Sequence, residues 1–103
     1  MSKYHAVKTV RDGNVFASKA EARRYDELKI MQLAGEISHL ECHPRYPLIV
    51  SGIGVGYYEA DFRYTENKKT VVEDVKGVRT PVYSLKKKMI KAQYKIDIQE
   101  VKA

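Results

Sequence analysis

The chain has 103 residues, 44% hydrophobic and 31% charged, which suits one small domain and excludes intrinsic disorder. A lone cysteine, Cys42, excludes a disulfide framework, and no apolar run approaches the roughly 20 residues of a membrane-spanning helix. The net charge of +6 is concentrated at one end: residues 1–75 carry 11 Lys+Arg and 11 Asp+Glu, whereas residues 76–103 carry 8 and 2. Such a basic segment can hold a phosphate backbone, although lysine-rich helices are about as often plain solvated faces.

The opening residues, MSKYHAVKTV, lack the apolar core of a signal peptide, so a cytoplasmic location is expected. Tyr4 to Ala17 holds a short hairpin, Val7–Val10 and Val15–Ala17 around Arg11-Asp12-Gly13-Asn14. Lys3, Lys8 and Arg11 make it a basic arm, able to touch nucleic acid or a partner subunit; alone it would be marginal and must lean on the rest. Ser18 then opens a helix that runs to about Ala34 and stops at Gly35. Ser18-x-x-Glu21 reads as a capping box, with Glu21 reaching back to the Ser18 backbone N–H. Tyr25, Leu28, Met31, Leu33 and Ala34 form the apolar side, leaving Arg23, Arg24, Glu27 and Lys29 for water.

Ile37 to Val50 reads as strand interrupted at Pro44 and Pro47. His39, Cys42 and His43 invite a zinc reading, but no second ligand pair stands at finger-like spacing. Ser51 to Gly56 is glycine-rich, yet it lacks the Gly-Lys-Ser/Thr ending of a phosphate loop and precedes a strand, so a flexible β-connection is expected.

Tyr57 to Tyr64 alternates, with Glu59, Asp61 and Arg63 on one side and Tyr58, Ala60, Phe62 and Tyr64 on the other. Thr70 to Lys76 continues as a second strand after a polar turn. If Thr65 pairs with Thr70, Asp61 falls opposite Asp74 and Glu59 opposite Lys76. Two carboxylates about 4.5 to 5.5 Å apart destabilise a ladder unless a cation offsets them. A bound Mg²⁺ would do so, with Lys76 beside it for an anion. The competing reading is an ordinary half-exposed hairpin in which Lys76 neutralises Asp74 or Glu59.

Thr80 at the N-cap and Pro81 at the first helical position start a second helix, which reaches about Tyr94. Val82, Leu85, Met89 and Ala92 are spaced as its buried stripe, with Lys86, Lys87, Lys88 and Lys91 around it. Helix N-termini attract phosphate, so Arg79 and Thr80, flanked by Tyr83 and Lys87, are candidate backbone contacts together with Lys86 and Lys91. Lys95 to Val101 reads as a final strand, and strand, helix, strand implies a right-handed crossover with parallel pairing. The order is α-β-β-β-α-β: an α/β (α+β) domain with a mixed four-stranded sheet flanked by two helices and an N-terminal hairpin arm. A domain this small is marginally stable, which makes a homodimer a reasonable expectation.

Asp61, followed after a turn by Asp74-Val75-Lys76, resembles the signature of the PD-(D/E)XK nuclease superfamily. The wider string, SKAEARRYDELK through ADFRYTENKKTVVEDVKGVRTPVYSLKKK, is similar to small phage and prophage proteins of that superfamily, likened to Holliday-junction resolvases. Ala60 stands where the superfamily has a proline. The resemblance implies a restriction-endonuclease-like core and a Mg²⁺-dependent endonuclease, with Mn²⁺ able to substitute, acting on branched or structured DNA inside the host cell. It implies Asp61, Asp74 and the Val75 carbonyl as metal ligands, Lys76 as the water-positioning or charge-stabilising amine, and Glu21 in a supporting role in the site. Glu73 is the reserve candidate if the register shifts. Two other functions fit the same residues: a non-catalytic nucleic-acid-binding module, and an interaction subunit of a phage DNA-processing machine.

Overall fold

The computed structural model describes residues 7–103, so Lys3, Tyr4 and His5 of the expected arm lie outside the described residues. The rest of the arm is a hairpin of β1 (Thr9–Arg11) and β2 (Asn14–Phe16), paired from Thr9↔Phe16 to Arg11↔Asn14. Asp12 and Gly13 both take positive φ, 50° and 79°, as a two-residue turn that follows the strand twist requires. The hairpin is docked. Phe16 is fully buried 5.1 Å from the Tyr25 ring, and the Tyr25 hydroxyl donates to Asp12 Oδ2 at 2.7 Å.

Helix α1 (Lys19–Leu33) starts at the Ser18 cap, whose hydroxyl oxygen accepts the Glu21 N–H at 3.2 Å. It buries Ala22, Tyr25 and Leu28. The expected apolar side is corrected at its end, because Leu33 is 84% exposed. Arg24 is corrected as well, since it turns inward to a buried carboxylate instead of facing water.

The interrupted strand is β3 (Ser38–Cys42) and β4 (Arg45–Val50), and its partner is β5 (Ile53–Glu59) and β6 (Phe62–Glu66). Both partners break at the same level. His43 N–H donates to the Asp61 carbonyl at 2.9 Å, and Ala60 N–H donates to the Pro44 carbonyl at 3.0 Å. Pro44 has no N–H to continue the ladder, and His43 sits at φ 55°. The single strand expected over Tyr57 to Tyr64 is therefore two strands, and the alternation changes face between them. Tyr58 and Ala60 join the core cluster under the second helix, whereas Phe62 and Tyr64 join the cluster under α1. Glu59 pairs with Arg45 at 3.0 Å, which overturns its expected place opposite Lys76. The glycine-rich stretch is also mostly strand: only Ser51 and Gly52 form the turn between Val50 and Ile53.

Strand β7 (Lys69–Lys76) pairs with β6 in the expected register, including Thr65↔Thr70 and Phe62↔Glu73. Helix α2 (Pro81–Tyr94) begins at Thr80, whose hydroxyl oxygen accepts the Tyr83 N–H at 3.1 Å. Its buried line is Tyr83 and Ile90 with Met89 and Tyr94, so the expected stripe is displaced: Val82 and Leu85 are 62% and 59% exposed. Tyr83 and Tyr94 take its place because their hydroxyls find Glu100 Oε2 at 2.8 Å and the Pro47 carbonyl at 2.6 Å. Strand β8 (Gln99–Lys102) lies parallel to β7, with Asp74↔Glu100.

The result is a mixed four-stranded sheet in the order β3-β6-β7-β8, with β4 and β5 extending from it as a separate ribbon. Val71 and Val75 of β7 pack into the cluster under α1 and Val72 into the cluster with α2, so the helices cover opposite faces. No helix among the described residues is long and apolar enough to cross a membrane.

Candidate functional site

Asp61 occupies the break between β5 and β6, at the end of the β6–β7 ladder. Its N–H donates to the Glu73 carbonyl at 3.1 Å, and its Oδ2 accepts the Val75 N–H at 2.7 Å. Burial is the largest influence on this carboxyl and pushes it up to about 7. The Val75 N–H and Lys76 pull the other way, and Glu21 adds to the rise. In a strand the N–H and C=O of one residue point to the same side, so the Val75 carbonyl also sits on the Asp61 side of β7.

Asp74 is 3% exposed and lies on the α2 face of β7. Its Oδ2 accepts the Tyr58 hydroxyl and lies 3.8 Å from Lys76 Nζ. Burial pushes the Asp74 carboxyl up to about 6 against the pull of Lys76. Lys76 Nζ also rests 3.9 Å from the centre of the Tyr83 ring, which fixes an otherwise flexible ammonium. Glu73, the reserve candidate, belongs to the other face. It is 2% exposed, receives Arg24 Nε and Nη2 at 2.8 and 2.7 Å, and accepts the Tyr64 hydroxyl. Its role is to fasten α1 to the sheet.

Glu21 divides the work expected of it. Its backbone N–H serves the cap, but its carboxylate does not complete the capping box; Oε2 accepts the Ser18 hydroxyl at 3.2 Å and faces Asp61. One ligand atom from each of Glu21, His43 and Asp61 lies within 4.8 Å of the other two. These three line an open cleft of about 460 Å³ with Lys8, Val15, Ala17 and Glu59. Sequence reasoning missed His43 as their companion, because proximity in the chain groups it with His39 and Cys42. Among the described residues that trio forms no ligand cluster: the exposed His39 ring lies 3.1 Å from Ser38 Oγ, and burial raises the Cys42 thiol. The only sequence signal for His43 is its place one residue before Pro44, where the outer strand has to bend opposite Asp61. Carboxylates, a carbonyl and one imidazole form a donor set suited to a divalent cation.

The expected nucleic-acid contacts are partly engaged within the chain. Glu100 accepts Arg79 Nε at 3.0 Å, Lys87 Nζ at 2.8 Å and the Tyr83 hydroxyl, and these donors, Lys87 foremost, hold its carboxyl down at about 2. Lys86 Nζ donates to the Tyr57 carbonyl at 3.0 Å, and Lys91 pairs with Asp97 at 2.7 Å. Tyr83 is 6% exposed and lies beneath Lys76, which removes it from the expected surface contacts. Thr80 is exposed at the start of α2. Arg79, Lys87, Lys88 and Lys91 line a groove of about 330 Å³ along that helix.

A family model described as "Protein of unknown function (DUF1064)" matches residues 1–102, essentially the whole chain. The chain belongs to this family. None of the curated proteins matches it. The DUF1064 description assigns no activity, so a functional reading rests on the geometry of the site itself.

Proposed function

We propose that this protein is a divalent-metal-dependent endonuclease that hydrolyses phosphodiester bonds in branched or structured DNA. The observation that carries the reading is the gathering of Glu21, Asp61, Asp74 and Lys76 around the open end of the β6–β7 hairpin, where Asp61 and Asp74 are charged only at a cost. Burial and the neighbouring Glu21 carboxylate raise both groups, a pattern that clusters at functional sites.

A bound Mg²⁺ would polarise a phosphoryl oxygen and lower the pKa of its water. Asp61, Asp74, Glu21 and the Val75 carbonyl are the groups that would hold it. Lys76, held beside Asp74 and the Tyr83 ring, would supply the positive charge that offsets the extra negative charge of the transition state. The Val75 N–H holds the Asp61 carboxylate in one orientation. Arg79 and Lys76 share a smaller cleft of about 270 Å³ with Gly77, Glu100 and Lys102, and Arg79 also borders the groove along α2. A DNA backbone following that groove arrives at Lys76.

The test is incubation of the protein with a labelled four-way junction and with linear duplex, each with and without Mg²⁺ or Mn²⁺. Metal-dependent cutting supports the reading. Binding without cutting in either metal moves the protein to the class of non-catalytic nucleic-acid-binding modules.

A further inference from the structure

We infer that His43 supplies a nitrogen ligand, beside carboxylate oxygens of Glu21 and Asp61, to a divalent transition-metal ion that this site holds more tightly than Mg²⁺. The three ligand atoms lie within 4.8 Å of one another, and three ligands spaced evenly around one ion at about 2.1 Å are about 3.6 Å apart. The site therefore closes onto a metal by inward movements of about 1 Å or less, within ordinary side-chain adjustment.

His43 faces Glu21 and Asp61 across the cleft and is held in place from two sides. Its backbone N–H donates to the Asp61 carbonyl at 2.9 Å, and its ring lies 5.6 Å from the buried Phe16 ring. Asp61 therefore fixes His43 through the main chain while its own carboxylate faces the same cleft. A rigid nitrogen at the edge of an oxygen set changes the choice of metal. Mg²⁺ prefers oxygen ligands alone, whereas imidazole favours first-row transition ions.

The proposed nitrogen-bearing site shares Glu21 and Asp61 with the nuclease reading but does not require cleavage. The probe is Mn²⁺, titrated into the full chain without DNA and followed by electron paramagnetic resonance, with Mg²⁺ as competitor. The expected result is Mn²⁺ binding on the order of tenfold tighter than Mg²⁺. Pulsed spectra should show a ¹⁴N coupling from His43 that disappears in His43→Asn. Asparagine tolerates the positive φ at that position, so the variant is expected to fold. If it does not, the ¹⁴N coupling in the unaltered protein decides alone. Absence of nitrogen coupling in the wild type, or equal Mn²⁺ affinity in wild type and His43→Asn, overturns the inference. A protein that shows the coupling and cuts nothing keeps this site and loses the nuclease reading. One that cuts with Mg²⁺ and shows no coupling does the reverse.

Discussion

The Val75 N–H donates to Asp61 Oδ2 at 2.7 Å, tying a side chain from the break in one strand to the backbone of the next. Ordinary cross-strand pairing would have placed Asp61 and Asp74 face to face on one side of the sheet. The break moves Asp61 off that register and toward Glu21 and His43, while Asp74 stays on the α2 face with Lys76. Two acidic groups thus border the end of the hairpin from different sides.

That arrangement has a measurable cost. Asp61 and Asp74 are raised from 3.8 to about 7 and about 6, chiefly by burial. The folded protein binds protons more tightly at these groups than the unfolded chain does. Their favourable contribution is full below about pH 4 and is lost as pH rises through 6 to 7. In chelator, Asp61→Asn should therefore gain thermal stability over wild type at pH 8 and show little advantage at pH 4. Asparagine keeps an oxygen for the Val75 N–H, so the contact survives. Melting curves for the two proteins that stay parallel across this range would contradict the assigned strain.

Glu73 has the opposite character: a buried carboxylate fully satisfied by Arg24 and Tyr64. Arg24→Ala leaves that charge without its partner, and such losses cost about 3–5 kcal/mol. Urea denaturation should place Arg24→Ala far below wild type, while Glu73→Gln, which removes the charge, should lose less. Equal losses for the two would mean that the guanidinium is not what compensates the buried charge.

Much of the fold is legible in the sequence. The Ser18 and Thr80 caps, the Thr65↔Thr70 register and the parallel return of β8 all follow from local signals: capping chemistry, turn composition and period-two alternation. Alternation fails at Ala60 and Asp61 because it assumes an unbroken strand, and the break is imposed by Pro44 on the neighbouring strand. The α2 stripe fails because aliphatic spacing ignores tyrosines whose hydroxyls reach distant acceptors. His43 is unreadable for the same reason as the break: its partners lie 22 residues before it and 18 after it in the chain. Arg24 and the lysines of α2 look like free surface charge, since nothing local announces Glu73, Glu100 or Asp97 as partners.

Glu100 restrains Arg79 and Lys87. Glu100→Gln should release both cations toward a phosphate backbone, tighten DNA binding and steepen its salt dependence, by roughly 0.9 in log–log slope for each additional phosphate neutralised. Lys87→Glu should do the reverse, with weaker binding and a shallower slope. Fluorescence anisotropy against salt concentration measures both. Slopes unchanged in both variants would take this groove out of the DNA interface.

The most direct test of the proposed activity compares wild type with Asp74→Asn on the same labelled four-way junction in Mg²⁺ and Mn²⁺, with binding measured separately. Asparagine keeps an oxygen for the Tyr58 hydroxyl, so the fold is expected to hold. The wild type should cut only with metal, and Asp74→Asn should bind the junction as well or more tightly, having lost a negative charge, yet leave it intact. Equal cutting by the two proteins, or none by the wild type in either metal, would contradict a nuclease site at the end of this hairpin.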